Sequence, residues 1–119
     1  VTVEEQLAAA LATVPGLDPK PYRPGVITPM AAWPEWSGAM PLTDCTFDET
    51  FDVLVVLPSG APAKTASTRR SLIAAVSNAL SGAGAYITGS GPVVITLDQG
   101  SAGPPGLRVS IRITTQEDT

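Results

Sequence analysis

The chain has 119 residues, 44% apolar and 15% charged, which points to one globular domain spanning residues 1–119 and away from a disordered chain. Seven Lys and Arg stand against eleven Asp and Glu, a net charge of −4, so no electrostatic grip on nucleic-acid phosphates is expected. A single cysteine, Cys45, and no histidine exclude an intrachain disulfide, a Cys/His metal site and His-based acid–base catalysis, and fit assembly in the cytosol.

In chain order, Thr2-x-x-Glu5 reads as a capping box. Val3, Leu7, Ala10, Leu11 and Val14 then recur at helical spacing until Pro15-Gly16 ends the helix. The N-terminus lacks the basic start of a signal peptide, and the apolar run of residues 7–14 is too short to span a membrane; a soluble chain is expected. Residues 15–25 hold Pro15, Pro19, Pro21 and Pro24 and read as an extended connector, with a short edge strand over residues 22–28. Residues 29–41 read as a proline-rich loop carrying Trp33 and Trp36.

The longest strand is expected over residues 44–57. Cys45, Phe47, Phe51, Val53, Val55 and Leu57 share one face, interrupted only by Glu49, and Thr46, Asp48, Thr50 and Asp52 the other. That polar face gives way to Leu54 and Val56, so both faces should be buried near the strand's C-terminal end. After the break at Pro58-Ser59-Gly60, a second helix over residues 64–80 carries the stripe Leu72, Ile73, Val76, Ala79 and Leu80, with Arg69 and Arg70 mostly off it. Gly82 and Gly84 end it. Residues 93–98 and 107–114 alternate as two final strands, joined by a Gly/Pro loop over residues 99–106. That loop is longer than hairpin turns usually are, as functional or disordered loops tend to be.

The expected architecture is α+β, a two-layer sandwich of order α-β-β-α-β-β whose mixed sheet carries both helices on one face. Its other face would be polar and open to a partner. Asp48 and Asp52 on one strand and Arg108 and Arg112 on another are expected on that polar face, as cross-strand or cross-subunit charge pairs. A catalytic carboxylate pair would need an enclosing pocket, which an open face does not offer.

Trp33 and Trp36 either anchor an interface or fold back as a lid over a core edge. Ser101, Pro104 and Pro105 of the last loop are further interface candidates. Gly82-Ala83-Gly84 and Gly89-Ser90-Gly91 follow a helix and precede a strand, the reverse of a phosphate-cradling loop, and read as a cap and a turn. No serine has a histidine partner, and Cys45 on an apolar strand face reads as an inert core residue. No catalytic residue, cofactor or metal is expected.

An N-terminal helix, the long strand around Phe51-Asp52-Val53-Leu54-Val55-Val56, a second helix and a terminal strand pair together resemble the tail terminator (tail-completion) proteins of long-tailed bacteriophages. The resemblance covers nearly the whole chain and rests on element order, length and pattern. It implies a structural virion protein of the neck, assembled in the host cytoplasm. Its copies would form a hexameric ring that caps the tail tube, stops its polymerisation and meets the head connector. DNA would cross that ring without specific binding, which an acidic chain suits. Residues with GC-rich codons are plentiful and Lys20 and Lys64 are the only lysines, as in a phage of an actinobacterial host. A head–tail stopper is the nearest alternative, although that family is mainly a small β-barrel. A host module binding a peptide or small ligand is another.

Overall fold

The computed structural model describes residues 2–58, 62–96 and 102–116. Thr2 caps the first helix, α1 (Val3–Leu11), with its hydroxyl accepting the Glu5 N–H at 3.1 Å. In return the Thr2 N–H donates to Glu5 Oε1 at 3.2 Å. The Thr2 backbone N–H first, and its hydroxyl second, hold the Glu5 carboxyl below the ordinary glutamate range. A carboxyl depressed in this way stabilises the fold above its unfolded pKa, and that contribution is lost as pH falls through the folded value. Acidification is therefore expected to fray α1, and Thr2→Ala to cost about 1 kcal/mol; melts followed by circular dichroism at neutral and acidic pH check both. The helix stops short of Val14, which is buried in the following turn with its N–H on Leu11 O at 3.0 Å.

Five strands follow: β1 (Asp18–Pro19), β2 (Ala31–Pro41), β3 (Thr46–Val56), β4 (Tyr86–Thr96) and β5 (Ala102–Gln116), with the second helix, α2 (Pro62–Gly82), between β3 and β4. They form one mixed sheet in the order β1-β2-β3-β5-β4, parallel at β1–β2 and antiparallel elsewhere. Two helices and a mixed sheet make the fold α+β. Since β3 and β4 both oppose β5, the chain leaves β3, passes through α2 and returns in the same direction on the far side of β5. Gly84, at φ +90°, makes the left-handed turn out of α2, and Ala85 N–H closes onto Leu80 O at 3.1 Å.

The front half differs from the sequence expectation. No strand forms over residues 22–28; instead Asp18 and Pro19 pair beside Ala31 and Ala32. The Trp-bearing stretch is not a loop but β2, an eleven-residue strand against β3. Pro34 and Pro41 are tolerated because β1 covers only the first two residues of β2, leaving the rest an open edge where a missing N–H breaks no ladder.

Cys45 is exposed in the turn between β2 and β3 and not buried on a strand face, because β3 begins one residue later. Gly89-Ser90-Gly91 lies inside β4, accommodated by a bulge between Ile87 and Gly89, so it is not a turn. Pro104 and Pro105 belong to β5, Pro105 facing Val94. The expected loop at residues 99–106 is therefore mostly strand, and Ser101 lies outside the described residues.

Burial follows the strand alternation. Phe51, Val53 and Val55 of β3 join Leu107, Val109, Ile111 and Ile113 of β5 in one cluster. Leu7 and Leu11 of α1 enter the same cluster, as do Leu72, Val76 and Leu80 of α2. The opposite sheet face is not wholly polar. Ala31, Trp33, Leu54, Val56 and Ile95 make a second cluster there, with Ile27 from the 20–30 segment packed against it. Gly106 sits beneath this cluster: a Cβ there would fall 2.9 Å from Ile95 Cδ1 and 3.0 Å from the Val55 carbonyl oxygen. The backbone oxygen has little freedom to yield, so Gly106→Ala is expected to cost about 1–3 kcal/mol in a denaturant titration.

Candidate protein interface

β2, β3 and β5 extend past the start of β4. β4 begins opposite Arg112, so residues 46–49 of β3 and 113–116 of β5 have no β4 neighbour. With the end of β2 they form a three-stranded arm. A turn at residues 42–45 closes it, with Leu42 N–H on Thr46 O at 2.9 Å and Thr46 N–H on Thr43 Oγ1 at 3.1 Å. The arm exposes Met40 (67%) and Leu42 (53%), and Trp36 (58%) stands exposed at its base, opposite Phe51.

Trp36 and Trp33 have opposite fates because they lie on opposite faces of β2. Trp33 faces Leu54 and is completely buried, under the Arg23 guanidinium at 5.7 Å from its ring centroid, with Nε1 donating to Glu35 Oε2 at 3.1 Å. It is a core residue of its own chain and not an interface anchor. Arg23 is tied down by donating to the Thr96 carbonyl oxygen, so the 20–30 segment is pinned over this face. Trp36 pairs with Phe51 but lies outside the core, where its Nε1 donates to Glu49 Oε1 at 3.1 Å. An exposed side chain contributes little to the fold, and Trp36→Ala is expected to shift stability by no more than about 0.5 kcal/mol in a thermal melt.

Asp48, Asp52, Arg108 and Arg112 share the sheet face opposite the main core, as their alternation implies. Arg112 Nε lies 3.1 Å from Asp48 Oδ2, and its guanidinium sits 5.1 Å from the Tyr86 ring centroid. Asp52 accepts from Ser110 Oγ at 2.8 Å. Arg108 makes no ion pair among the described residues. The Asp48–Arg112 pair is half-open to water, so it contributes at most about 1 kcal/mol, and its main effect is to fix the outline of the face.

No protein-family model matches the sequence, and no curated protein matches it.

At the end of the molecule away from the arm lies an apolar cleft of about 330 Å³, bounded by Leu57, Thr65, Arg69, Pro92, Val94 and Pro105. Its volume is at the lower end for pockets that take a small ligand or one large side chain. Among the described residues no group of three or more acidic, Cys or His side chains could hold a metal ion, and no helix is long and apolar enough to cross a membrane. The sequence reading placed Arg69 off the apolar stripe of its helix but missed Glu49, Met40 and Leu42 as surface-forming residues. A register for β2 against β3 would have found Glu49, since it places it on the face of Trp36, whereas Met40 lies opposite Asp48 on the other face and Leu42 in the turn.

Proposed function

We propose that this chain is a tail terminator, a structural protein whose copies form a ring that caps the tail tube of a long-tailed bacteriophage and joins it to the head connector. The observation that carries the reading is the arm at one end of the molecule, which holds Met40 and Leu42 in solvent with Trp36 exposed at its base. Aromatic and Met side chains held out this way suit protein contacts.

The order of α1, β3, α2 and the β4–β5 pair supports the likeness, as does the shared core of the two helices, which suits a two-layer sandwich with both on one face. The ring is hexameric in this reading, and the face bearing Asp48, Asp52, Arg108 and Arg112 lines its lumen or its seams. An acidic chain lets DNA cross without being held. The protein belongs to the virion neck, is assembled in the cytoplasm of an actinobacterial host and performs no catalysis.

Co-expression with the tail-tube protein of the same genome tests the proposal. The chain should co-purify with tube subunits and arrest their polymerisation. Tubes that elongate unchecked and leave the chain in the supernatant would sink the reading. A host module binding a peptide or small ligand is the second reading, favoured by the apolar cleft beside Arg69.

A further inference from the structure

Among the described residues, the arm and α2 carry opposite charge. The arm bears Asp44, Asp48 and Glu49, with Arg112 at its base. By contrast α2 holds Lys64, Arg69 and Arg70, three of the seven cations of the chain, and no carboxylate. None of these three makes an ion pair among the described residues. Apolar surface is distributed to match: Met40 and Leu42 are exposed on the arm and Trp36 at its base, and the apolar cleft lies beside Arg69 at the other end.

We infer that the arm of one copy docks in the cleft of the next, with the Trp36 indole against Leu57, Pro92 and Val94 and the Glu49 carboxylate on the Arg69 guanidinium. This rests on the ring reading above and names the contact that would build it. Three observations carry it. First, Trp36 and Glu49 already form one unit, joined by the indole N–H at 3.1 Å, so the anchor and its charge arrive together. Second, the receiving cleft offers apolar walls and one cation, the complementary pair. Third, the Trp36 of a chain cannot reach the cleft of that same chain. Trp36 pairs with Phe51, and Leu57 lies six residues further along that path, about 20 Å away.

A contact between two different patches is heterologous, so repetition closes a ring when the rotation allows. Direct pairing of sheet edges is the competing geometry, and both edges are blunted against it. Pro34, Pro41 and a bulge at Trp36/Gly38 interrupt β2, and Pro92 and a bulge at Ile87/Gly89 interrupt β4.

Charge reversal tests the contact in the full chain. Glu49→Arg and Arg69→Glu should each weaken self-association by about 30-fold or more in sedimentation velocity, while melting as the unaltered chain does. Equimolar mixing of the two variants should restore assembly, because each arm then meets an oppositely charged cleft. The chain carrying both changes should also assemble. Variants that associate as tightly as the original, or a mixture that stays dissociated, would overturn the contact while leaving a ring built otherwise. An unaltered chain that stays monomeric at high concentration and with tube protein present would overturn both the contact and the ring.

Discussion

Ile111→Asp is expected to abolish the cooperative melting of the domain. Ile111 is 1% exposed, pairs with Phe51 on one side and Ile87 on the other, and belongs to the cluster that both helices enter. Replacing it removes a fully buried aliphatic side chain and leaves a carboxylate among apolar groups. The nearest cations in sequence, Arg108 and Arg112, are even-numbered residues of β5 and face the other side of the sheet, so they cannot pair with it. The combined loss is about 4–8 kcal/mol, against a total stability of about 5–15 kcal/mol for a domain of ordinary stability. Ile111→Val keeps the site apolar and is expected to cost only about 0.5–1.5 kcal/mol. A soluble Ile111→Asp protein with a sharp transition near that of the original would show that the face assignment of β5 is wrong.

Trp33→Ala carries the second large effect. Its indole is fully buried between Leu54, Val56 and Ile95 and is the surface on which the Arg23 side chain rests. Truncation leaves a cavity and frees Glu35 from the Nε1 donor, a loss of about 3–5 kcal/mol. The 20–30 segment also loses the platform that Arg23 covers, so its amides should exchange with solvent faster than those of α1 or β5. Only two tryptophans are present, so the Trp36→Ala variant isolates the emission of Trp33, which should be blue-shifted and melt with the fold. The contrast between the two substitutions is the point: three residues apart on one strand, one should cripple the fold and the other should leave it standing. Equal effects would mean that the β2 register is wrong.

Both predictions depend on features of different legibility. The two helices could be read from sequence because Leu7 and Leu11, and Leu72, Val76 and Leu80, repeat at the helical period and are buried as that period demands. β3 and β5 could be read because their alternation is long; the same alternation placed Asp48 and Arg112 on one face, where they pair. The double burial expected at the end of β3 is present at Leu54 and Val56.

β2 was hidden by its prolines, which look like loop residues until a sheet edge is there to excuse them. The start of β4 was hidden by Gly89-Ser90-Gly91, where a bulge replaces the turn that the glycines suggest. Trp33 could not be told from Trp36 without a register, since their faces depend on which residue of β3 each one meets. The second cluster depends on the 20–30 segment crossing the sheet, a tertiary contact that no local pattern announces.

The proposed function requires that the surface left outside the two clusters meet tail proteins and neighbouring copies. Negative-stain imaging of tail tubes polymerised with and without the chain tests it most directly. The account predicts a ring of density across one end of every tube and a fixed tube length when the chain is present. Open-ended tubes of unbounded length, with the chain present only as isolated particles, would contradict it.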